Sequence, residues 1–195
     1  MNTLETEKVL KAFADKVIQR AVNNLAKGDH ISSGELAKNL DYEVEVYKSG
    51  SLEMEFTAPY YWKFQDKGVK GSSGKQSPKG KRNGRNSPFK FKGKNIKKGV
   101  VEAWVKRKGI QGRDRGYTKA DGTKVKGTGR FIKHKTLSYL IGRSIALYGI
   151  PATRFFSSAF RFEAKKLPPE IRKAYASDID KFLKFAIKDY NKKYN

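Results

Sequence analysis

Residues 67–135 carry 23 of the 43 Lys and Arg of this 195-residue chain but only three acids, Glu102, Asp114 and Asp121. The other 126 residues share 20 basic and 16 acidic side chains, so the segment holds +20 of a formal net charge of +24. The segment is rich in glycine and poor in aliphatic side chains, and its part from Gly68 to Ser87 has too little apolar surface to offset the entropy of ordering itself. The core must come from the near-neutral remainder, with 67–135 as a basic, Gly-rich insertion within it.

That remainder is long enough. A chain of this length suits one domain and can bury roughly 70% of its unfolded surface without a disulfide or metal staple. It has no cysteine, which removes disulfides, thiol nucleophiles and thiolate metal sites. The acidic start, Met1 to Lys8, is unlike a signal peptide, and no apolar run approaches the ~20 residues that span a bilayer. These features point to a protein used without secretion and away from membranes. A net +24 opposes self-association unless a polyanion or an acidic neighbour compensates it.

Periodicity supplies the elements. Leu10, Phe13, Val17, Ala21 and Leu25, widened by Ile18, recur at helical steps, with Lys11, Asp15, Lys16, Gln19 and Arg20 on the wet side. Gly28 is expected to close this helix as a left-handed cap. Ser32 and Glu35 have capping-box spacing before a short helix. Period two follows: Tyr42, Val44 and Val46, then Leu52, Met54 and Phe56, alternate with outward residues across a turn at 48–51. This predicts an antiparallel hairpin whose apolar face lies on the first helix. Pro59 and Gly68 bracket an aromatic-rich turn. Residues 68–87 and 111–130 read as loops, the former mobile in isolation, and a short helix is expected near 96–109. A helix over about 134–148 carries Leu137, Leu140, Ile141, Ser144, Ile145 and Tyr148. A last helix, about 170–192, is expected to bury Ile171, Tyr175, Ile179, Phe182, Leu183, Ala186 and Tyr190. The sum is an α+β fold in a single domain over 1–195. It has a long N-terminal helix, an antiparallel sheet built on a β-hairpin, a second helix, a long C-terminal helix and a large basic loop insertion.

Catalytic chemistry is hard to place on these residues. His30 and His134 are far apart, with no carboxylate pattern beside either. Glu43, Glu45, Glu53 and Glu55 alternate onto a solvated strand face and lack the closing loop of oxygen ligands that a cation site needs. The loop from Gly74 to Arg82 has its glycines one residue too far apart for a phosphate-cradling P-loop. The loop from Gly122 to Thr128 has the spacing but lacks the lysine. A nuclease would need an acid cluster near the basic segment, and nothing organises Glu102, Asp114 and Asp121. The expectation is no enzyme, no cofactor and no metal. The positive candidate is a polyanion or acidic-partner surface of Lys75, Lys79, Lys81, Arg82, Arg85, Lys90, Lys92, Lys94, Lys97 and Lys98, interleaved with Phe89 and Phe91. Such cations neutralise phosphates without reading bases, and no helix-turn-helix, zinc finger or aromatic strand motif accompanies them.

Three stretches together carry a likeness: the hairpin running into Ala58 to Gly68, then Ile96 to Ile110, then Leu137 to Phe160. In this order the chain resembles the tail-completion and neck proteins of tailed bacteriophages, which join head to tail. The resemblance covers about two thirds of the chain and rests on hydrophobic and glycine patterns. It implies a structural virion protein, without enzyme activity, that assembles in the host cytoplasm as a homo-oligomeric ring in the head–tail connector. Its partners would be itself, neighbouring portal, connector or tail proteins and, non-specifically, DNA in the channel. Tyr60, Tyr61, Trp62, Phe64 and Gly68 match the aromatic turn; Phe155, Phe156 and Phe160 match the segment after the second helix. Core filling accounts for most of these aromatics. Four in five residues exceed what one short turn can bury on one side, so at least one of Tyr60, Tyr61 or Trp62 is expected to face a neighbouring subunit; these three, with Phe155 and Phe156, are the candidate subunit-interface residues. The alternative reading is a sequence-independent nucleic-acid-binding or packaging protein.

Overall fold

The computed structural model describes residues 4–28, 30–47, 51–75, 83–93, 95–96 and 99–194, the last six of these by helical backbone alone. Among them the order is α1 (Leu4–Lys27), α2 (Glu35–Lys38), β1 (Asp41–Val46), β2 (Leu52–Thr57), α3 (Trp62–Lys67), β3 (Val69–Lys70), α4 (Val100–Arg107), β4 (Gly116–Thr118), β5 (Lys124–Lys126), α5 (His134–Tyr148), β6 (Gly149–Ile150), α6 (Phe155–Ala164) and α7 (Leu167–Tyr194). The fold is α+β, with long first and last helices and antiparallel strand pairs, as the sequence pattern predicts. The chain gathers into two compact units, 1–62 with 154–195, and 63–153. The second unit is wider than the expected insertion at 67–135, because α5 packs along α4 and β6 pairs with β3.

In the first unit α1 is the central element, and α6, α7 and β1 pack on it. Leu10, Phe13, Val17, Ala21 and Leu25 are buried at the helical spacing read from the sequence, joined by Leu40, Phe155 and Ala159. The hairpin pairs Tyr42 with Phe56, Val44 with Met54 and Val46 with Leu52. Met54 and Phe56 pack against the α1 core. Two local expectations fail. Gly28 is not left-handed; its N–H closes an ordinary last turn on the Asn24 carbonyl at 3.2 Å. The Ser32–Glu35 capping box does not form, because α2 starts from Gly34 at φ 81 and the Glu35 N–H reaches Ser33 Oγ instead, at 3.5 Å.

The first turn of α1 is held from across the unit. Asp178 of α7 is buried, and its carboxylate accepts the Glu5 N–H at 3.1 Å, the Thr6 N–H at 2.9 Å and the Thr6 hydroxyl at 2.8 Å. Free N–H groups at a helix start favour a negative partner. Burial works to raise the pKa of Asp178, but these bonds and nearby Lys181 outweigh it and hold the carboxyl below its ordinary value. Glu163 of α6 is likewise buried; Arg20 Nε at 2.8 Å and Lys166 Nζ at 3.5 Å outweigh the burial and depress its pKa.

The second unit is built differently. β3 pairs antiparallel with β6, Val69 opposite Ile150 and Lys70 opposite Gly149. On the other side of β3 the Lys70 N–H donates to Phe89 O and the Phe91 N–H to Lys70 O, both at 2.9 Å. Ser87 is buried, donating to Gly68 O at 2.6 Å and accepting from the Phe89 N–H at 3.1 Å. Phe89 and Phe91 are thus tied to β3 by backbone bonds, and Ser87, at the end of the stretch 68–87 expected to be mobile, is held to Gly68 through its hydroxyl. The helix expected near 96–109 is α4, Val100–Arg107. Its buried Val101 and Val105 belong to the small core of this unit, and Val101 meets α5 at Gly142. Residues 111–130 form no loose loop but a two-stranded ribbon, described below.

Candidate polyanion and subunit surfaces

The unit 63–153 contains 25 of the 43 Lys and Arg and four of the 19 acids, so +21 of the formal +24 lies between Lys63 and Thr153. Its four acids do little to screen that charge. Asp66 is buried, and Glu102 is paired with Lys106 at 3.1 Å on the same helix. The Asp114 carboxylate accepts the Thr128 N–H, the Gly116 N–H and the Thr128 hydroxyl, each at 3.0 Å, and these bonds lower its pKa. Asp121 accepts the Thr123 N–H at 2.9 Å and is lowered in the same way.

Of the ten cations singled out in the sequence, Lys79, Lys81, Arg82, Lys94, Lys97 and Lys98 lie outside the described residues. The other four, Lys75, Arg85, Lys90 and Lys92, are exposed, and no ion pair holds them among the described residues. Residues 89–92 run extended beside β3, which turns Phe89 and Phe91 inward and Lys90 and Lys92 outward. Phe89 is anchored edge-on to Phe64 at 4.6 Å. Phe89 thus holds the strand against Phe64, and Phe91 is half-buried.

The expected interface aromatics separate. Phe155 is buried in the first unit, because α6 starts there against α1; it fills the core and leaves no surface for a neighbour. Phe156 and Trp62 lie 5.3 Å apart in a half-buried aromatic cluster with Phe56 and Phe160. Tyr61 is half-buried, and burial, with Glu35 nearby, raises its pKa. Tyr60 is 84% exposed, edge-on to Tyr61.

Apolar side chains stay uncovered on two of the helices. On α7 the buried positions are Ala174 and Asp178, whereas Tyr175, Phe182 and Leu183 stay about half exposed and Phe185 and Ile187 are 68% and 60% exposed. On α5 the buried positions are Ser138, Gly142 and Ala146, with Tyr139 and Leu140 exposed. In both helices the side turned inward is the one with the smallest side chains, because helices approach most closely there. Tyr175, Phe182 and Leu183 lie on one side of α7, and Phe185 and Ile187 point to nearly opposite flanks, so together the five surround this part of the helix with exposed surface on the order of 500 Å².

A counterpart of opposite charge lies on the hairpin. Glu43 faces Glu55 and Glu45 faces Glu53 across the strands, an arrangement that destabilises an isolated hairpin. The Tyr47 hydroxyl bridges Glu45 and Glu53 at 2.9 and 2.8 Å, which drives its pKa strongly upward. Among the described residues no group of three or more His, Asp or Glu is placed to hold a metal, and no helix is long and apolar enough to cross a membrane. Compared with known protein families, curated proteins and solved structures, the chain matches none.

Proposed function

We propose that this chain is a structural virion protein of a tailed phage, forming a homo-oligomeric ring in the head–tail connector around the DNA channel. The observation that carries the reading is the uncovered apolar surface of α7, where Tyr175, Phe182 and Leu183 share one side and Phe185 and Ile187 extend it around the helix. A surface of this size is costly to leave in water, at about 25 cal/mol per Å². Copies packed on more than one side of α7 would bring the buried total to about 1,000 Å², the lower bound for a specific interface. The chain also carries surfaces of both signs, the glutamate face of the hairpin and the cationic unit 63–153, which suits head-to-tail contacts that close into a ring. Tyr60 is a further candidate contact. The role is structural, and no catalytic step is assigned.

The reading is tested by native mass spectrometry of the purified chain. The expected result is one defined species of more than two copies, converted to monomer by Phe182→Glu with Leu183→Glu while the helical circular dichroism persists. A wild-type chain that stays monomeric at tens of micromolar overturns it. The exposed cations Lys75, Arg85, Lys90 and Lys92, which no ion pair holds among the described residues, favour a second reading, a sequence-independent nucleic-acid-binding or packaging protein. That reading requires tight, salt-sensitive DNA binding by a chain with no ring.

A further inference from the structure

We infer that residues 112–132 form a duplex-DNA-binding ribbon, distinct from the basic stretch 75–98. The ladder starts where the Ile132 N–H meets Gly112 O at 2.8 Å and runs through an Arg113–Phe131 bridge. It continues through Asp114 N–H to Arg130 O, then through the pairs Gly116–Lys126, Tyr117–Val125 and Thr118–Lys124. A turn closes it, with the Gly122 N–H on Lys119 O at 3.0 Å. At about 3.4 Å per residue the ribbon is roughly 20 Å long.

No residue from Gln111 to Lys133 is buried. An isolated two-stranded ribbon is marginal, and this one is fixed at its bulge by the three bonds to Asp114 rather than by a core. Six exposed cations line it: Arg113, Arg115, Lys119, Lys124, Lys126 and Arg130. None has an ion-pair partner among the described residues, and both acids of the ribbon are engaged with its own backbone. Arg113 stacks at 4.5 Å on Phe131, which is itself 61% exposed, and Tyr117 is 64% exposed. Charge is therefore held at fixed spacing on a narrow scaffold that contributes nothing to a core.

A two-stranded ribbon fits the roughly 12 Å major groove of B-DNA, and the register puts Lys124 and Lys126 on one face and Arg115 and Lys119 on the other, so cations reach phosphates on either side. The contacts are to the backbone, so binding is independent of sequence. The inference rests on the connector reading for where such DNA would be met, and its test separates the two.

The full chain is titrated against a fluorescently labelled mixed-sequence 30-base-pair duplex from 50 to 300 mM salt. Quadruple replacement Arg115→Gln, Lys119→Gln, Lys124→Gln and Lys126→Gln removes four cations without touching a buried residue. The log–log salt slope should become shallower by about 3.6, at roughly 0.9 per phosphate contact. The matching replacement of Lys75, Arg85, Lys90 and Lys92 by Gln should change the slope less. Asp114→Asn keeps every cation but loosens the bulge, so it should weaken binding several-fold while leaving most of the slope. Equal slopes for the ribbon variant and the wild type overturn the inference, as does a wild type that ignores the duplex and binds only an acidic protein. Native mass spectrometry of the same variants reads the ring independently. DNA binding lost with the ring intact isolates the ribbon; a missing ring with DNA binding intact sinks only the connector reading.

Discussion

In residues 1–62 and 154–195 the interior is made of side chains. Phe13, Val17, Leu25, Leu40 and Phe155 interlock, and the aromatic rings of Phe56, Phe156 and Phe160 extend the contact outward. In residues 63–153 much of the interior is backbone. The buried positions include Gly68, Gly71, Gly84, Gly142 and Gly149, with Val69, Val101, Val105 and Ala146 as the main apolar fill. The first kind of core is insensitive to surface charge and can carry a near-neutral exterior. The second kind needs few large apolar residues, which is how a unit at +21 holds a fixed shape. The difference teaches that strong charge and order are compatible when ladders and close backbone contact replace hydrophobic burial.

The sharpest way to break this comparison is to remove the largest fully buried side chain of the first unit. Phe155→Ala should cost about 3–5 kcal/mol, the range for buried aromatic truncation, read from guanidinium unfolding. A loss below about 1 kcal/mol would mean that the side-chain core is not what holds α6 on α1.

The second unit should fail through its backbone. Gly149 sits at φ 85 and ψ −176, a region essentially closed to other residues, and a Cβ there would run into the Val69 carbonyl. Gly149→Ala should cost about 1–3 kcal/mol. Amide exchange should speed up across 69–70 and 89–91 while α1 keeps its protection. Uniform loosening of both units would show that they are one cooperative body with a shared interior.

How far the sequence could be read follows the same division. Helix α1 and the hairpin were legible because large apolar residues sit at strict periods of 3.6 and 2; the structure buries the α1 positions and half-buries those of the hairpin, apart from the exposed Val46. Helices α5 and α7 were found, but only part of each expected stripe turns inward: Leu137, Ile141, Ile145 and Tyr148 on α5 and Ile171 and Ile179 on α7 are half-buried, while Leu140, Tyr175, Phe182 and Leu183 are exposed. Apolar pattern weights Leu140 or Tyr175 above Gly142 or Ala174, whereas close packing selects the small residues. Helix α6 was not anticipated at all; its start at Arg154 takes a left-handed φ of 55 that no pattern signals. The ribbon at 112–132 escaped because its ladder depends on Asp114 meeting Thr128, 14 residues on. Glycine-rich composition reads as loop whether or not such bonds form. The basic stretch 75–98 was visible as charge alone, so composition could not reveal that Phe89 and Phe91 face inward.

The smallest expected effect concerns Asp178, which the sequence placed on a helix without any sign that it serves another. Its three bonds to Glu5 and Thr6 make it the N-terminal cap of α1, and loss of such a cap costs about 1–2 kcal/mol. Asp178→Ala should therefore lower stability by that amount at neutral pH, well below the loss for Phe155→Ala. The pH dependence distinguishes a cap from simple packing. The folded pKa of Asp178 is depressed, so the unfolded chain takes up the proton first as pH falls. The stabilisation is fully present above the ordinary carboxylate range, near about 4. It drains away as pH drops through that range toward the folded pKa. Glu163 shifts in the same direction through Arg20 and Lys166, so the wild type should lose stability through both groups in acid. Asp178→Asn should remove part of that acid sensitivity and leave the Glu163 share. If wild type and Asp178→Asn have parallel stability curves from pH 6 to pH 3, the carboxylate is not the cap. The first turn of α1 must then be held by its apolar neighbours alone.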